Sequence, residues 1–394
     1  MLNTLATPRA CPILSLFNEY LADARHQKLN LGVGVYQDET GLTPIMAAVK
    51  AAEARLLGNQ TTKVYEGIFG NETFNQAIQT MMLGGLNADG RASTLQTPGG
   101  TGALNLMAYL IASARPNATI WLSDPSYVNH RPVFEMAGLT VKTYRYLDWE
   151  SQCVDEDAVI DLASQLGAGD VFLLHGCAHN PSGADLSLAA WQALAELAPE
   201  RGFLPLIDIA YHGLGDGLEP DIHGARLLVD AVEEALMSVS CSKNFGLYRE
   251  RTGAAIVIAE SERQAKRYRE AMCEMARSAY SMPPAHGAAI VAEILGDGGL
   301  TSQWKSELLT MSNRLISLRH ELAAALKEQT QTSRFDFLIR HKGMFSIMGL
   351  SEEAINTIKT QYGIYLLPSG RINIAGLTSH DIPRLVEAII ASGG

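Results

Sequence analysis

Residues 238–251 read Ser-Val-Ser-Cys-Ser-Lys-Asn-Phe-Gly-Leu-Tyr-Arg-Glu-Arg, which sets one lysine, Lys243, behind three serines. Arg249 and Arg251 follow it within eight positions. A lysine whose pKa is lowered by desolvation and nearby cations is a usable nucleophile toward an aldehyde. Ser240, Ser242 and Arg251 offer donors to a phosphate, and an arginine can bind one in bidentate fashion. A Schiff-base lysine beside phosphate donors is what pyridoxal 5'-phosphate asks of a protein. Taken alone, a Ser-x-Ser-Lys run is far more often a polar surface loop.

A second stretch carries matching chemistry. Residues 203–208 form an apolar run closed by Asp208, with Tyr211 three positions on. A carboxylate at the end of a buried strand is costly unless it meets a cation. A protonated pyridine nitrogen is such a cation, and keeping it protonated makes the ring an electron sink. Tyr211 could then donate to the ring phenolate. The glycine-rich residues 213–217 do not read as a helix, so a capping role for Asp208 fits poorly.

Gly99, Gly100, Thr101 and Gly102 precede an apolar-periodic stretch through Leu104, Met107, Ala108 and Ile111. Glycines at a helix N-terminus leave N–H groups free where the dipole favours an anion. No Gly-Lys-Ser/Thr ending follows, so this is not a nucleoside-triphosphate loop. Beside Ser240 and Arg251 it makes a second wall for a phosphate. His175 and His179 lie four apart, but Asn180-Pro181 and Ser182-Gly183 make the stretch turn-like and no glutamate accompanies them. A metal pair is therefore disfavoured.

These residues need a frame. Short β-rich runs at 119–124, 141–148, 171–176, 203–208, 235–240 and 254–259 alternate with helical patterns such as 188–197. That pattern predicts a mostly parallel sheet covered on both faces, with functional residues at the strand ends. Residues 31–36 are an apolar run with two glycines, compatible with a buried strand and a bulge. They lack the third glycine and following helix of a dinucleotide fingerprint. Thr43 and Pro44 predict a helix to about residue 57, with Thr43 as cap and Pro44 at the first position. A helix from about 261 should end at Pro283-Pro284, leaving Arg277 near its C-terminal end, where an arginine ordinarily complements the dipole. A long helix is expected over 300–327, then strands at 343–350, 364–367 and 372–375. Arg371 among these apolar runs needs an anion. The division expected is a large domain over 44–313 and a small one from 1–43 with 314–394.

The bulk numbers set limits. The chain has 394 residues, 47% hydrophobic and 19% charged, enough for two domains and a large core. A net charge of −11 argues against nucleic acid and anionic membranes as partners. It would also mildly repel an acidic substrate, but screening within about 8 Å leaves that to local arginines. Five scattered cysteines without a C-x-x-C pair point to a reducing compartment. Residues 1–8 lack the features of a signal peptide, and no apolar run approaches the roughly 18 residues of a membrane span. A cytoplasmic enzyme is expected.

From Pro12 to about Gly376 the chain resembles the class I aspartate and aromatic aminotransferases, most strongly through Asp208-Ile209-Ala210-Tyr211 and Ser240-Cys241-Ser242-Lys243. The resemblance implies fold type I of the pyridoxal-phosphate enzymes: an α/β protein with a mostly parallel seven-stranded sheet and a smaller α/β domain. It implies that Lys243 holds the cofactor and then moves the substrate's α-proton. Asp208 would meet the ring nitrogen, and Tyr211 with Asn180 the ring oxygen. Gly100, Thr101, Ser240, Ser242 and Arg251 would take the phosphate. Tyr127 would stack on the ring, although the family has Trp there and a tyrosine makes a smaller contact. The backbone at Gly34 would approach the substrate carboxylate and Arg371 would bind it. The resemblance further implies a homodimer in which Tyr65 reaches the partner's cofactor phosphate and Arg277, with Ser281 nearby, the side-chain carboxylate of the partner's substrate.

Substrate choice is more open. Arg277 favours dicarboxylates, hence glutamate with 2-oxoglutarate as one pair. An aspartate specialist tends to carry Asn where this chain has Val64 and Met282, and their apolar character eases entry of an aromatic ring. Gln37 and Thr43 do not follow that trend. An enzyme accepting aspartate and aromatic amino acids is expected, with a narrow aspartate enzyme second. A transcription regulator that senses pyridoxal phosphate is disfavoured, because about 30 residues before Leu31 are too few for a helix-turn-helix module and linker. Elimination or decarboxylation on the same cofactor is the closer rival, and two arginine anchors favour transamination.

Overall fold

The structure is a computed structural model that describes residues 11–86 and 90–393. The N-terminal stretch read above, residues 1–8, lies outside them. Two compact units emerge. Among the described residues, the larger takes Pro44–Leu315 and His341–Gly343, and the smaller takes 11–43, Ile316–Arg340 and 344–393.

The larger unit is built on seven strands. They are β1 (Ala92–Pro98), β2 (Thr119–Asp124), β3 (Thr140–Arg145), β4 (Asp170–His175), β5 (Leu204–Ile209), β6 (Ala235–Ser240) and β7 (Thr252–Ile258). Their order across the sheet is β1-β7-β6-β5-β4-β2-β3. The strands β3, β2, β4, β5 and β6 run parallel, while β7 is antiparallel to both β6 and β1. Every residue of β6 and β7 is buried, as expected where helices cover both faces. Leu95, Met107, Leu122, Phe134, Leu173, Leu206 and Val257 meet in one core between the sheet and its helices.

The parallel order fixes where chemistry can occur. Strands β2, β4, β5 and β6 all end on the same edge of the sheet, at Asp124, His175, Ile209 and Ser240. The segments leaving that edge carry Tyr127, Asn180, Tyr211 and Lys243. Helices return the chain to the opposite edge, and some carry local caps. Ser187 accepts from the backbone N–H of Ala190 to start Leu188–Arg201, and Gly202, at φ 74°, closes it.

The smaller unit holds two short pairings. Leu29–Asn30 runs parallel to Ile364–Tyr365, and Phe345–Ile347 antiparallel to Arg371–Asn373. Leu16, Tyr365 and Leu367 form its apolar cluster with Ile13 and Tyr20.

The structure corrects three expectations. Strand β1 was not foreseen, although it forms the edge from which the glycine run at Gly99 departs. Residues 31–36 do not form a strand, because beyond Leu31 the carbonyls of Gly32, Val33 and Val35 are taken by side chains. Arg371 donates to Gly32 O at 2.6 Å, and Asn373 to Val33 O and Val35 O at 2.8 and 2.7 Å. The helix predicted from Thr43 begins at Ala47 instead and runs to Asn59. Its cap is remote in sequence: the Glu307 carboxylate accepts from Ala47 N at 2.6 Å and Ala48 N at 2.9 Å. Replacing a cap of this kind costs about 0.5–2 kcal/mol. Glu307→Ala should lower unfolding stability by that amount and raise amide exchange at Ala47 and Ala48 selectively. Unchanged exchange at those two amides would contradict the capping role.

Candidate active site

Three walls meet at the common edge of the larger unit's sheet. The first is the glycine turn between β1 and the helix Gly99–Ala114. Gly99 adopts φ 71°, and a Cβ on it would lie 2.6 Å from Arg251 Nη2. A Cβ on Gly100 would sit 3.2 Å from Ser240 Cβ. On β7, a Cβ on Gly253 would meet Gly99 C at 2.5 Å and Gly100 N at 2.8 Å. Three glycines thus let the backbone of one loop settle against two strands and the Arg251 guanidinium. The first amides of a 16-residue helix, Thr101 among them, have no partner within the helix and carry the positive end of its dipole. Ser240 and Ser242 are buried, with Ser242 N donating to Ser240 Oγ at 3.3 Å. Arg251 sits at φ 52° with Nη1 donating to Tyr248 O at 2.9 Å. These donors converge as an anion cradle.

The second wall is a buried carboxylate. Asp208 is 8% exposed and its Oδ2 lies 2.9 Å from His130 Nε2. Burial alone would push its pKa up. The hydrogen bond from His130, the fields of His130 and His175 and the Ser238 hydroxyl outweigh that and hold it below the ordinary aspartate value. His130 is fully buried, with Nδ1 2.9 Å from Ser126 Oγ, and its ring meets Tyr127 edge-on at 5.3 Å. His175 lies behind it at 5.1 Å between ring centroids. Burial and the neighbouring His130 drive its pKa down to about 3, the nearby Asp208 notwithstanding. His179 is held neutral by burial beside these histidines, and both its nitrogens are engaged, with Ser123 Oγ at 3.0 Å and Ser182 Oγ at 2.7 Å. This chain of histidines serves the carboxylate from behind. It was not foreseen, since the sequence reading treated His175 and His179 only as possible metal ligands and gave His130 no role.

The third wall carries the remaining polar groups. Asn180 Nδ2 donates to Tyr211 Oη at 3.2 Å, so two side chains from different strand ends point at one place. The Asn180 turn is held by Asp185, which accepts from Ala178 N at 2.7 Å and His179 N at 2.8 Å. The turn after Tyr211 is held by Asp221, which accepts from Gly213, Gly215 and Asp216 amides. Lys243 Nζ lies over the Tyr211 ring, 4.8 Å from its centroid. The larger unit therefore brings together Gly100, Thr101, Tyr127, Asn180, Asp208, Tyr211, Ser240, Ser242, Lys243 and Arg251.

Other candidates lie apart from this cluster. Tyr65 points outward at 82% exposure. Arg277, in the last turn of Glu262–Ala279, is exposed and donates to Ser281 Oγ at 2.7 Å, with Ser281 at φ 67°. Gly34 and Arg371 belong to the smaller unit. There Arg371 is 3% exposed, its guanidinium carbon 4.1 Å from the centroid of the Phe345 ring. A Cβ on Gly34 would lie 3.0 Å from Phe345 Cζ.

The donor set of the larger unit fits pyridoxal phosphate. The cradle that added Cβ atoms would fill suits a phosphate, the buried carboxylate a protonated ring nitrogen, and Lys243 an aldehyde. Known proteins agree. The model for aminotransferase class I and II matches residues 26–389. The aspartate aminotransferase of Escherichia coli (strain K12) is 44% identical over 392 residues, 99% of each chain. The aromatic-amino-acid aminotransferase of Paracoccus denitrificans is 45% identical over 395 residues, 100% of each. Among solved structures, an aromatic amino acid aminotransferase with 3-indolebutyric acid superposes with a TM-score of 0.97 at 43% identity over 100% of both chains. An aromatic-amino-acid aminotransferase from Burkholderia pseudomallei, covalently bound to pyridoxal phosphate, gives 0.96 at 36% identity, covering 100% of this chain and 99% of that one. With its fold and sequence matched along the whole length, the chain belongs to the class I and II aminotransferases, which depend on pyridoxal phosphate.

Proposed function

We propose that this protein transfers amino groups between amino acids and 2-oxo acids, taking glutamate with 2-oxoglutarate as one pair and aspartate or an aromatic amino acid as the other. The observation that carries this reading is the ionised, His130-backed Asp208 three residues before Tyr211, whose ring lies beneath Lys243 Nζ and whose Oη accepts from Asn180. When bound, pyridoxal phosphate supplies a ring that accepts the electron pair left when the α-proton departs. Asp208 would hold the ring nitrogen protonated. Asn180 and Tyr211 would donate to the ring oxygen. Gly100, Thr101, Ser240, Ser242 and Arg251 would hold the phosphate, and Tyr127 would pack on the ring.

Lys243 has two duties. It would hold the cofactor's aldehyde, and its freed amine would move the substrate's α-proton as general base. Arg371 binds the α-carboxylate in bidentate fashion, with the Gly34 backbone beside that carboxylate. Arg277 and Tyr65 serve the partner subunit of a homodimer, Arg277 at the distal carboxylate and Tyr65 at the phosphate. The exposure of Ile45, Leu57, Val64 and Tyr65 on the larger unit supports that assembly. The residues assigned to the cofactor all lie in the larger unit and within the 44–313 expected for a large domain beside 1–43 with 314–394. A cytoplasmic setting suits five cysteines that are all free thiols.

Relatives of both specificities are about equally similar, at 44% and 45% identity, so substrate choice rests on this chain's own residues. Val64 and Met282 lower the cost of admitting a ring, which favours aspartate and aromatic substrates together. A narrowly aspartate-specific enzyme is the second reading, supported by Gln37 and Thr43.

The test is the visible absorbance of the purified protein with pyridoxal phosphate, titrated separately with glutamate, aspartate and phenylalanine. All three should bleach the band, and Lys243→Ala should show only the absorbance of free pyridoxal phosphate. Silence with phenylalanine would select the aspartate enzyme. A wild-type protein with no band would end the assignment. The cradle predicts a second outcome. Gly253→Ala forces a Cβ against Gly99 and Gly100, an overpacking that costs about 1–3 kcal/mol. Cofactor affinity, measured by titrating the apoprotein, should fall roughly tenfold to a hundredfold. An unchanged Kd would contradict the cradle.

A further inference from the structure

The carboxylate anchor proposed for the smaller unit has a support of its own. Arg371 and Phe345 lie on adjacent antiparallel strands, with Phe345 opposite Asn373 and Ile347 opposite Arg371. Phe345 is thus a diagonal neighbour of Arg371 on the same face, within reach of a long side chain. Its ring is the shelf on which the Arg371 guanidinium lies, 4.1 Å from the centroid. The same ring fills the space below Gly34. The guanidinium is held at its other end by Gly32 O at 2.6 Å.

The shelf is itself gripped from behind by a second buried arginine. Arg319, on the helix Gly298–Thr330, is 2% exposed. Its Nη1 donates to Ser346 Oγ at 2.6 Å and reaches Leu338 O at 3.5 Å, and its Nη2 donates to Phe345 O at 2.7 Å. One planar fork therefore binds two consecutive residues of the strand that presents the Phe345 ring. A rigid fork with five donors holds both in one fixed plane, which a single rotating ammonium does not.

We propose that Arg319 is a positioning residue for α-carboxylate recognition: it fixes Phe345 and Ser346, and through the Phe345 ring it fixes the plane of the Arg371 guanidinium. Bidentate binding of a carboxylate depends on that plane, whereas cofactor binding depends on residues of the other unit. This inference rests on the proposed role of Arg371.

The experiment compares Arg319→Lys, Ser346→Ala and Arg371→Leu in the holoenzyme. It measures kcat and KM for glutamate and phenylalanine, the inhibition constant of 3-phenylpropionate, and the visible band. Arg319→Lys should raise KM for both amino acids and the inhibition constant together, roughly tenfold, with kcat within about threefold and the band intact. Ser346→Ala removes one of the two grips and should raise the same constants roughly threefold, which keeps the test decisive where Arg319→Lys does not fold. A fall in kcat with KM and inhibition constant unchanged overturns the proposal, as do two folded variants with wild-type constants. Arg371→Leu separates the two levels. If it leaves both constants unchanged, the assignment of Arg371 to the carboxylate fails. If it raises them and the other two variants do not, the positioning role of Arg319 alone fails.

Discussion

A carboxylate buried at the end of a central strand is the constraint around which the larger unit is organised. Left alone, Asp208 would take up a proton rather than remain charged at 8% exposure. His130, held by Ser126 and backed by His175, keeps the charge in place. That arrangement needs strands β2, β4 and β5 side by side and in parallel, so that residues 126, 130, 175 and 208 reach the same edge. A charge maintained at such expense is available to stabilise a cation on the open side, and a protonated ring nitrogen is the cation that the proposed chemistry requires.

The anion cradle shows a different economy, built from absence of side chains. Gly99, Gly100 and Gly253 let three backbone segments approach more closely than Cβ atoms allow. The consequence is a patch of N–H groups and hydroxyls with the helix dipole behind it. Charge enters only at the rim, through Arg251. The net charge of −11 therefore says little about the site, which is locally tuned for an anion.

Much of this was legible in the sequence, for reasons that can be named. Asp208 stood out because it closes an apolar run, Lys243 because three serines precede it and two arginines follow, and the alternation of runs implied a parallel sheet whose ends coincide. The glycine turn before Leu104 was legible from residue type alone. What was not legible depends on partners distant in the chain. Nothing near His130 announces a contact with a residue 78 positions away. The cap on Ala47 comes from Glu307, 260 residues on, and it displaced a perfectly reasonable local cap at Thr43. Residues 31–36 look like a strand, but Arg371 and Asn373 satisfy their carbonyls without a ladder. The grip of Arg319 on residues 345 and 346 likewise left no mark in the spacing.

The most direct test of this account is Asp208→Asn, which keeps the shape of the side chain and removes its charge. The variant loaded with pyridoxal phosphate should keep its visible band, because Lys243 and the cradle are untouched. Bleaching of that band by glutamate, followed by stopped flow, should slow roughly a thousandfold or more, the scale of losing a preorganised charge at a reacting centre. Bleaching at the wild-type rate would contradict the claim that the buried carboxylate is what makes the site catalytic.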